Sequence, residues 1–261
     1  MGYAFGIIIL LGLALLIFRG KKKRIKTIPV EWSDILEKNV RFYQHLNPTE
    51  KAEFQEQMRA FLDEIYIDAI GFELDDVDRV FVAASAIIPV FRFRNWRYTN
   101  ITGVIIYPDS FNESLGFGSD SEDRWIAGMV GTGKYENQMF LSRKALHHGF
   151  KNKTDKRNTG VHEFIHLLDK TDGKMDGVPT NFLGQEYIIP WLNLMHQGME
   201  AINNDQSDIR EYGGTKQAEF FTVASEYFFE RPKLLRIKHP ELYKMLERCF
   251  DPSTIEKLDK P

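Results

Sequence analysis

Three hydrophobic patterns follow one another along this chain. Residues 1–18 carry no charge and show no polar face, with Ile7-Ile8-Ile9-Leu10-Leu11 near their centre. At 1.5 Å of rise per residue, such a helix spans roughly 27 Å, close to the ~30 Å of a hydrocarbon core. Residues 51–66 then place Phe54, Met58, Phe61, Leu62 and Ile65 at helical spacing behind the start signal Asn47-Pro48-Thr49-Glu50. A second helical segment over 74–90 stops near Pro89. The runs 104–107, 125–130 and 138–142 read as strands, with a polar, glycine-bearing loop over 112–123. From about Asp155 the spacing is helical again, over 157–169, 183–203, 216–230 and 239–248. A small sheet followed by a helical half predicts an α+β architecture, with 27–46 as the connector leading into it.

Charge changes the picture at the N-terminus. Arg19, Lys21, Lys22, Lys23, Arg24 and Lys26 follow the apolar run directly, with no acid among them. Their position after the run, and the poor cleavage site at Phe18-Arg19-Gly20, favour an uncleaved anchor over a signal peptide. The positive-inside rule then expects the body in the cytoplasm. The expected organisation is a transmembrane anchor over 1–18, a basic juxtamembrane segment and connector over 19–46, and one catalytic domain over 47–261. The formal net charge is −3; without those six residues 28 basic groups face 37 acidic ones, about −9. Such a body does not suit direct nucleic-acid binding. The single cysteine, Cys249, excludes an intramolecular disulfide and a Cys-based zinc cluster.

The chemistry sits in Val161-His162-Glu163-Phe164-Ile165-His166. On a helix, residues at i and i+4 share a face with Cβ atoms ~5–6 Å apart, so His162 and His166 can converge on one metal ion. Glu163 leans over the same site without being a ligand, which is the place for a general base. Val161, Phe164, Ile165 and Leu168 form a core-facing stripe, and Thr159 or Asn158 can cap the helix start. A catalytic zinc site needs a third protein ligand and an open fourth position. Asp172 is one candidate, although Asp169 stands where the extended motif requires a turning glycine. The other is a carboxylate on the helix over 217–229, which carries Glu219 and Glu226.

These residues resemble the zinc-dependent peptidase family of Mlc titration factor A and, more distantly, the catalytic domain of anthrax lethal factor. The matching pieces are His162-Glu163-x-x-His166-x-x-Asp169, Asp176-Gly177-Val178-Pro179, and Tyr212-x-x-Thr215-x-x-Ala218-Glu219 running on to Ser225-Glu226-Tyr227-Phe228-Phe229. Upstream, Gly71-Phe72-Glu73-Leu74-Asp75 and Val104-Ile105-Ile106-Tyr107-Pro108 also match. The resemblance covers the body and not the apolar segment. It implies a zincin-like metallopeptidase domain holding one Zn2+ through His162, His166 and Glu219, with Glu163 as general base. It further implies that Tyr212 donates a hydrogen bond to the reaction's oxyanion. One departure stands out: Val223 lies four residues after Glu219, where thermolysin-like enzymes carry an acid, which leaves Glu226 to support a histidine.

The expected substrate is a peptide or protein. Residues 138–142 are expected either to pair with it as a sheet edge or to form a covered edge without a ligand, with side-chain pockets near Phe182 or Trp191. The alternative function is a membrane-tethered binding protein that sequesters a transcriptional regulator and has weak or partner-activated peptidase activity.

Overall fold

The computed structural model describes residues 27–112, 125–152 and 154–253. The apolar segment 1–18 and the basic cluster 19–26 lie outside these residues. No described helix is long and apolar enough to cross a membrane.

The described chain starts with helices α1 (Val30–Asn39) and α2 (Arg41–Gln44), where the sequence reading expects a connector. Trp32, Leu36, Val40 and Tyr43 are buried in the core, and their near-i, i+4 spacing is the reason this segment is helical. Helix α3 (Pro48–Glu64) begins at the expected signal. The Asn47 side chain accepts from the Glu50 amide while the Glu50 carboxylate accepts from the Asn47 amide, both at 3.0 Å. Strand β1 (Tyr66–Ala69) follows, and then α4 (Asp76–Ile87), which a second reciprocal cap between Asp75 and Asp78 opens. Every residue of α4 from Val80 to Ile87 is buried, so this helix runs through the core rather than over it.

Strands β2 (Gly103–Tyr107), β5 (Gly128–Val130) and β6 (Gln138–Ser142) complete a four-stranded sheet in the order β1-β2-β6-β5. The pairs β1–β2 and β2–β6 are parallel, and β5 runs antiparallel to β6. The run 125–130 therefore divides at Ala127. Its first part, β4 (Trp125–Ile126), pairs with β3 (Phe111–Asn112) in a separate two-stranded ribbon. The position of β6 corrects the sequence reading: β6 lies between β2 and β5, and β5 is the edge strand next to it.

Among the described residues, six α-helices form the second half: α5 (Arg143–Lys151), α6 (Thr159–Asp169), α7 (Gln185–Asn203), α8 (Gln217–Glu230), α9 (Pro232–Lys238) and α10 (Pro240–Phe250). Helix α6 is central, packed against α8, α4, α5 and the edge strand β5. Phe164 on α6 makes ring contacts with Phe61 at 5.7 Å and Tyr98 at 5.3 Å. Burying such a ring contributes about 1.5–3 kcal/mol, enough to hold the helix face in register. The fold is thus α+β, helix-rich with a small sheet. Phe182 and Trp191 are core residues and not pocket walls: Phe182 packs on Phe93 and Trp96, and Trp191 packs on Phe220 and Phe221.

Candidate metal centre

Helix α6 starts where Asn158 accepts a hydrogen bond from the Val161 amide at 3.1 Å, so Asn158 and not Thr159 is the cap. From Gly160 to Asp169 the whole helix is buried. Four polar side chains on it, His162, Glu163, His166 and Asp169, therefore need partners, because a buried polar group left unpaired costs free energy.

His162 and His166 stand one above the other with ring centroids 4.8 Å apart. Glu219, in the first turn of α8, brings its Oε2 to 3.2 Å from His162 Nε2 and 3.5 Å from His166 Nε2. All three potential ligand atoms lie within 4.8 Å of one another. Glu219 Oε2 is buried without a properly aligned hydrogen bond. Two imidazoles and a carboxylate aimed at one point are a donor set for a borderline-soft divalent cation. Tetrahedral ligands at ~2.1 Å from an ion stand about 3.4 Å apart, which the two oxygen–nitrogen separations match. The charges of these groups also act on one another. Burial opposes ionisation of His162, but the Glu226 and Glu219 carboxylates overcome this and push its pKa up to about 10. Burial also works against the Glu219 carboxylate, and the two histidines outweigh it and hold its pKa well below the ordinary range.

The residues around the three ligands fix their orientation. Glu226 Oε1 accepts from His162 Nδ1 at 2.8 Å, which leaves Nε2 turned toward Glu219. Glu226 also accepts from Arg210 through the same oxygen and from the Asn158 amide through Oε2 at 2.7 Å. A carboxylate seven residues beyond Glu219 thereby fills the supporting role left open by the buried Val223. Nothing in the sequence links Arg210 or Asn158 to Glu226, because both contacts are made across the fold. Asp169 is tied differently. It accepts from the Gly177 amide at 2.8 Å, Trp191 donates to the Gly177 carbonyl at 2.7 Å, and burial pushes the Asp169 pKa up to about 7. Gly177 has φ +79°, and a Cβ there would come within 2.3 Å of the Gln217 carbonyl. Only glycine lets this loop press the end of α6 against the start of α8, two residues from Glu219.

Glu163 faces the edge strand. A Cβ on Gly128 would lie 2.6 Å from Glu163 Oε1, so the bare backbone of β5 passes directly over this carboxylate. Burial raises the Glu163 pKa, against the pull of His162 and His166. Tyr212, in a short 3-10 turn (Glu211–Gly214), is 36% exposed and sets its ring 6.0 Å from that of His162. Asp172 is elsewhere: it is exposed, and accepts from the Thr180 hydroxyl at 2.6 Å and the Lys174 amide at 3.0 Å. It is not among the converging ligand atoms.

Comparison with known proteins points to a metallopeptidase family. A family model described as glucose-regulated metallo-peptidase M90 matches residues 17–251. An uncharacterized protein of Synechocystis is 28% identical over 248 residues, covering 90% of this chain and 89% of its own length. Mlc titration factor A of Klebsiella pneumoniae is 25% identical over 234 residues, with 82% and 83% covered. The protein of that name from Serratia proteamaculans is 31% identical over 111 residues, with 40% and 42% covered. The first two similarities cover most of the chain and are not confined to one motif.

Proposed function

The chain belongs to the glucose-regulated metallo-peptidase M90 family, and on that premise we propose that it hydrolyses peptide bonds with one zinc ion held by His162, His166 and Glu219. The observation that carries this reading is the convergence of ligand atoms from the buried His162 and His166 and the half-buried Glu219 beside Glu163, a carboxylate that is not one of them. Three protein ligands leave an open position, which suits a catalytic site and not a structural one. The sheet with its antiparallel edge strand laid over the active helix suits a zincin-like domain.

When bound, zinc lowers the pKa of water toward neutrality and polarises a carbonyl. The side chains of this protein do the rest. Glu163 is buried and its pKa is raised, so its carboxylate is suited to take a proton from the attacking water and deliver it to the departing amine. Tyr212, beside His162, offers its hydroxyl to the developing oxyanion. The backbone of β5 offers its outer edge to an extended peptide, which would make the pairing weakly dependent on sequence.

The test is zinc content and peptide cleavage in the detergent-solubilised full chain. Glu163→Gln is expected to keep about one zinc and to lose at least 10²-fold in turnover, the usual contribution of a general base. Glu219→Ala is expected to lose most of the zinc, whereas Asp172→Ala is not. Cleavage at the parental rate by Glu163→Gln would remove Glu163 from its role.

Residues 1–18 and the following basic cluster support a single-pass anchor with the catalytic domain in the cytoplasm. Cell fractionation should find the full chain in the membrane pellet and a chain starting at Thr27 in the supernatant. A second reading rests on the relatives named Mlc titration factor A: the protein is a membrane-tethered partner that sequesters a transcriptional regulator, with weak or partner-activated peptidase activity.

A further inference from the structure

At the N-terminal end of α6 lies a cavity of about 290 Å3 that none of the proposed catalytic residues lines. Two of its walls fix its place. Thr159 is the first residue of α6, about one helical turn before Glu163, which corresponds to roughly 5–6 Å along the axis. Ala127 immediately precedes Gly128, the residue that passes over the Glu163 carboxylate. An extended peptide advances roughly 3.3 Å per residue, so the cavity lies one or two residues from the bond above Glu163.

The rest of the lining includes two cations, Lys144 and Arg157, on a body that is otherwise acidic. Lys144, His148 and Arg157 all face this space, against one acid, Asp109. Lys144 is paired with Asp109 at 3.1 Å, and His148 with Asp155 at 2.8 Å, both at exposed positions where such pairs hold loosely. The Arg157 guanidinium has no hydrogen bond or ion pair among the described residues. The positive end of α6 adds to the same field. An antiparallel ladder, the stronger of the two pairings, would direct the C-terminal side of a peptide on β5 toward Ala127.

We infer that this cavity is a subsite for a carboxylate on the C-terminal side of the scissile bond, recognised by Arg157 and Lys144. The carboxylate is either an acidic side chain or the free C-terminus of a short substrate. The orientation and the cleaved bond rest on the peptidase reading; the charge preference of the cavity does not.

Binding to the zinc-loaded full-chain Glu163→Gln protein separates the two. The probes are fluorescein-labelled eight-residue alanine-rich peptides with Glu, Gln or Lys placed at each position in turn, all amidated, and a neutral set with a free C-terminus. At the favoured position, or with the free C-terminus, the anionic peptide is expected to bind about three- to tenfold more tightly than its neutral counterpart, with the gap closing in high salt. Adding Lys144→Glu and Arg157→Glu, both at exposed positions, should reverse the order in favour of Lys. Equal binding of Glu, Gln and Lys peptides together with no effect of a free C-terminus would overturn the subsite, as would an anionic preference that survives the reversal. Cleavage by the unmutated protein without charge preference would overturn the subsite and leave the peptidase reading in place. Charge-dependent binding without any cleavage would leave the subsite and remove the peptidase. Preference in the amidated set alone identifies a side chain, and in the free set alone a terminal carboxylate.

Discussion

Gly128 has no side chain because the Glu163 carboxylate occupies the space where one would go. A Cβ there would also sit 2.8 Å from Glu163 Cγ, so rotation of the carboxylate alone cannot relieve the clash. Gly128→Ala should therefore displace the base while leaving His162, His166 and Glu219 in place. The expected result is a fall in kcat of about 10²-fold, the cost of an ångström-scale misplacement, with unchanged zinc stoichiometry. Loss of zinc in that variant would show that the strand supports the ligands instead. Glycine inside a predicted strand is a sign of close backbone approach, so the position was visible in the sequence while its partner was not. Glu226 behaves in the same way: an acid on the helix after Glu219 is easy to find, but its bond to a histidine 64 residues away depends on how α8 crosses α6.

Asp78 shows how one residue ties two elements together. It closes the cap of α4, and its Oδ1 receives Arg143 at 2.8 Å and His147 at 2.6 Å from α5. Burial alone would raise its pKa, yet His147, Arg143 and the Asp75 amide bring it down to about 2. A depressed carboxyl pKa stabilises the fold fully above the ordinary value of 3.8, and that contribution is lost as pH falls through about 2. Asp78→Ala should cost about 2–3 kcal/mol at pH 7 by urea unfolding, since it removes hydrogen bonds to charged groups. The difference from the parent should narrow between pH 4 and pH 2; a constant difference would mean that packing and not charge is involved. Among the other elements, helices α3, α4, α6, α7, α8 and α10 follow the apolar periodicity closely. The helical spacing of Trp32, Leu36, Val40 and Tyr43 was equally present in residues 30–43, where the absence of a start signal obscured it: Pro29 precedes α1 and provides no side-chain cap. The edge position of β5 is another matter. Alternation along a strand says which face is buried and nothing about which neighbours it pairs with.

For the molecule as a whole, metal and fold are linked. Helices α6 and α8 meet at the site with Glu219 Oε2 buried and unbonded, so a cation bound there stabilises the folded state by mass action. Zinc at about 1,000 times its Kd contributes about 4 kcal/mol, or a rise in Tm of roughly 8–16 °C for a domain of this size. Thermal melting of the chelated and zinc-restored full chain measures it. No shift would count against His162, His166 and Glu219 as a ligand set. The charge of the molecule is also unevenly spread, with an acidic body, a basic cluster over 19–26, and a cationic patch beside the active helix.

By itself the sequence determined that His162 and His166 share one helix face with Glu163 between them, and most of the helices, since these are properties of spacing within one element. Resemblance to the family adds Glu219 and Tyr212, because a related chain preserves the order of its motifs. Only the tertiary structure decided that Glu219 meets both histidines, that Glu226 orients one of them, that β5 and not β6 forms the edge, and that Phe182 and Trp191 belong to the core. Each of these depends on the crossing of elements distant along the chain, a relation that local periodicity does not encode.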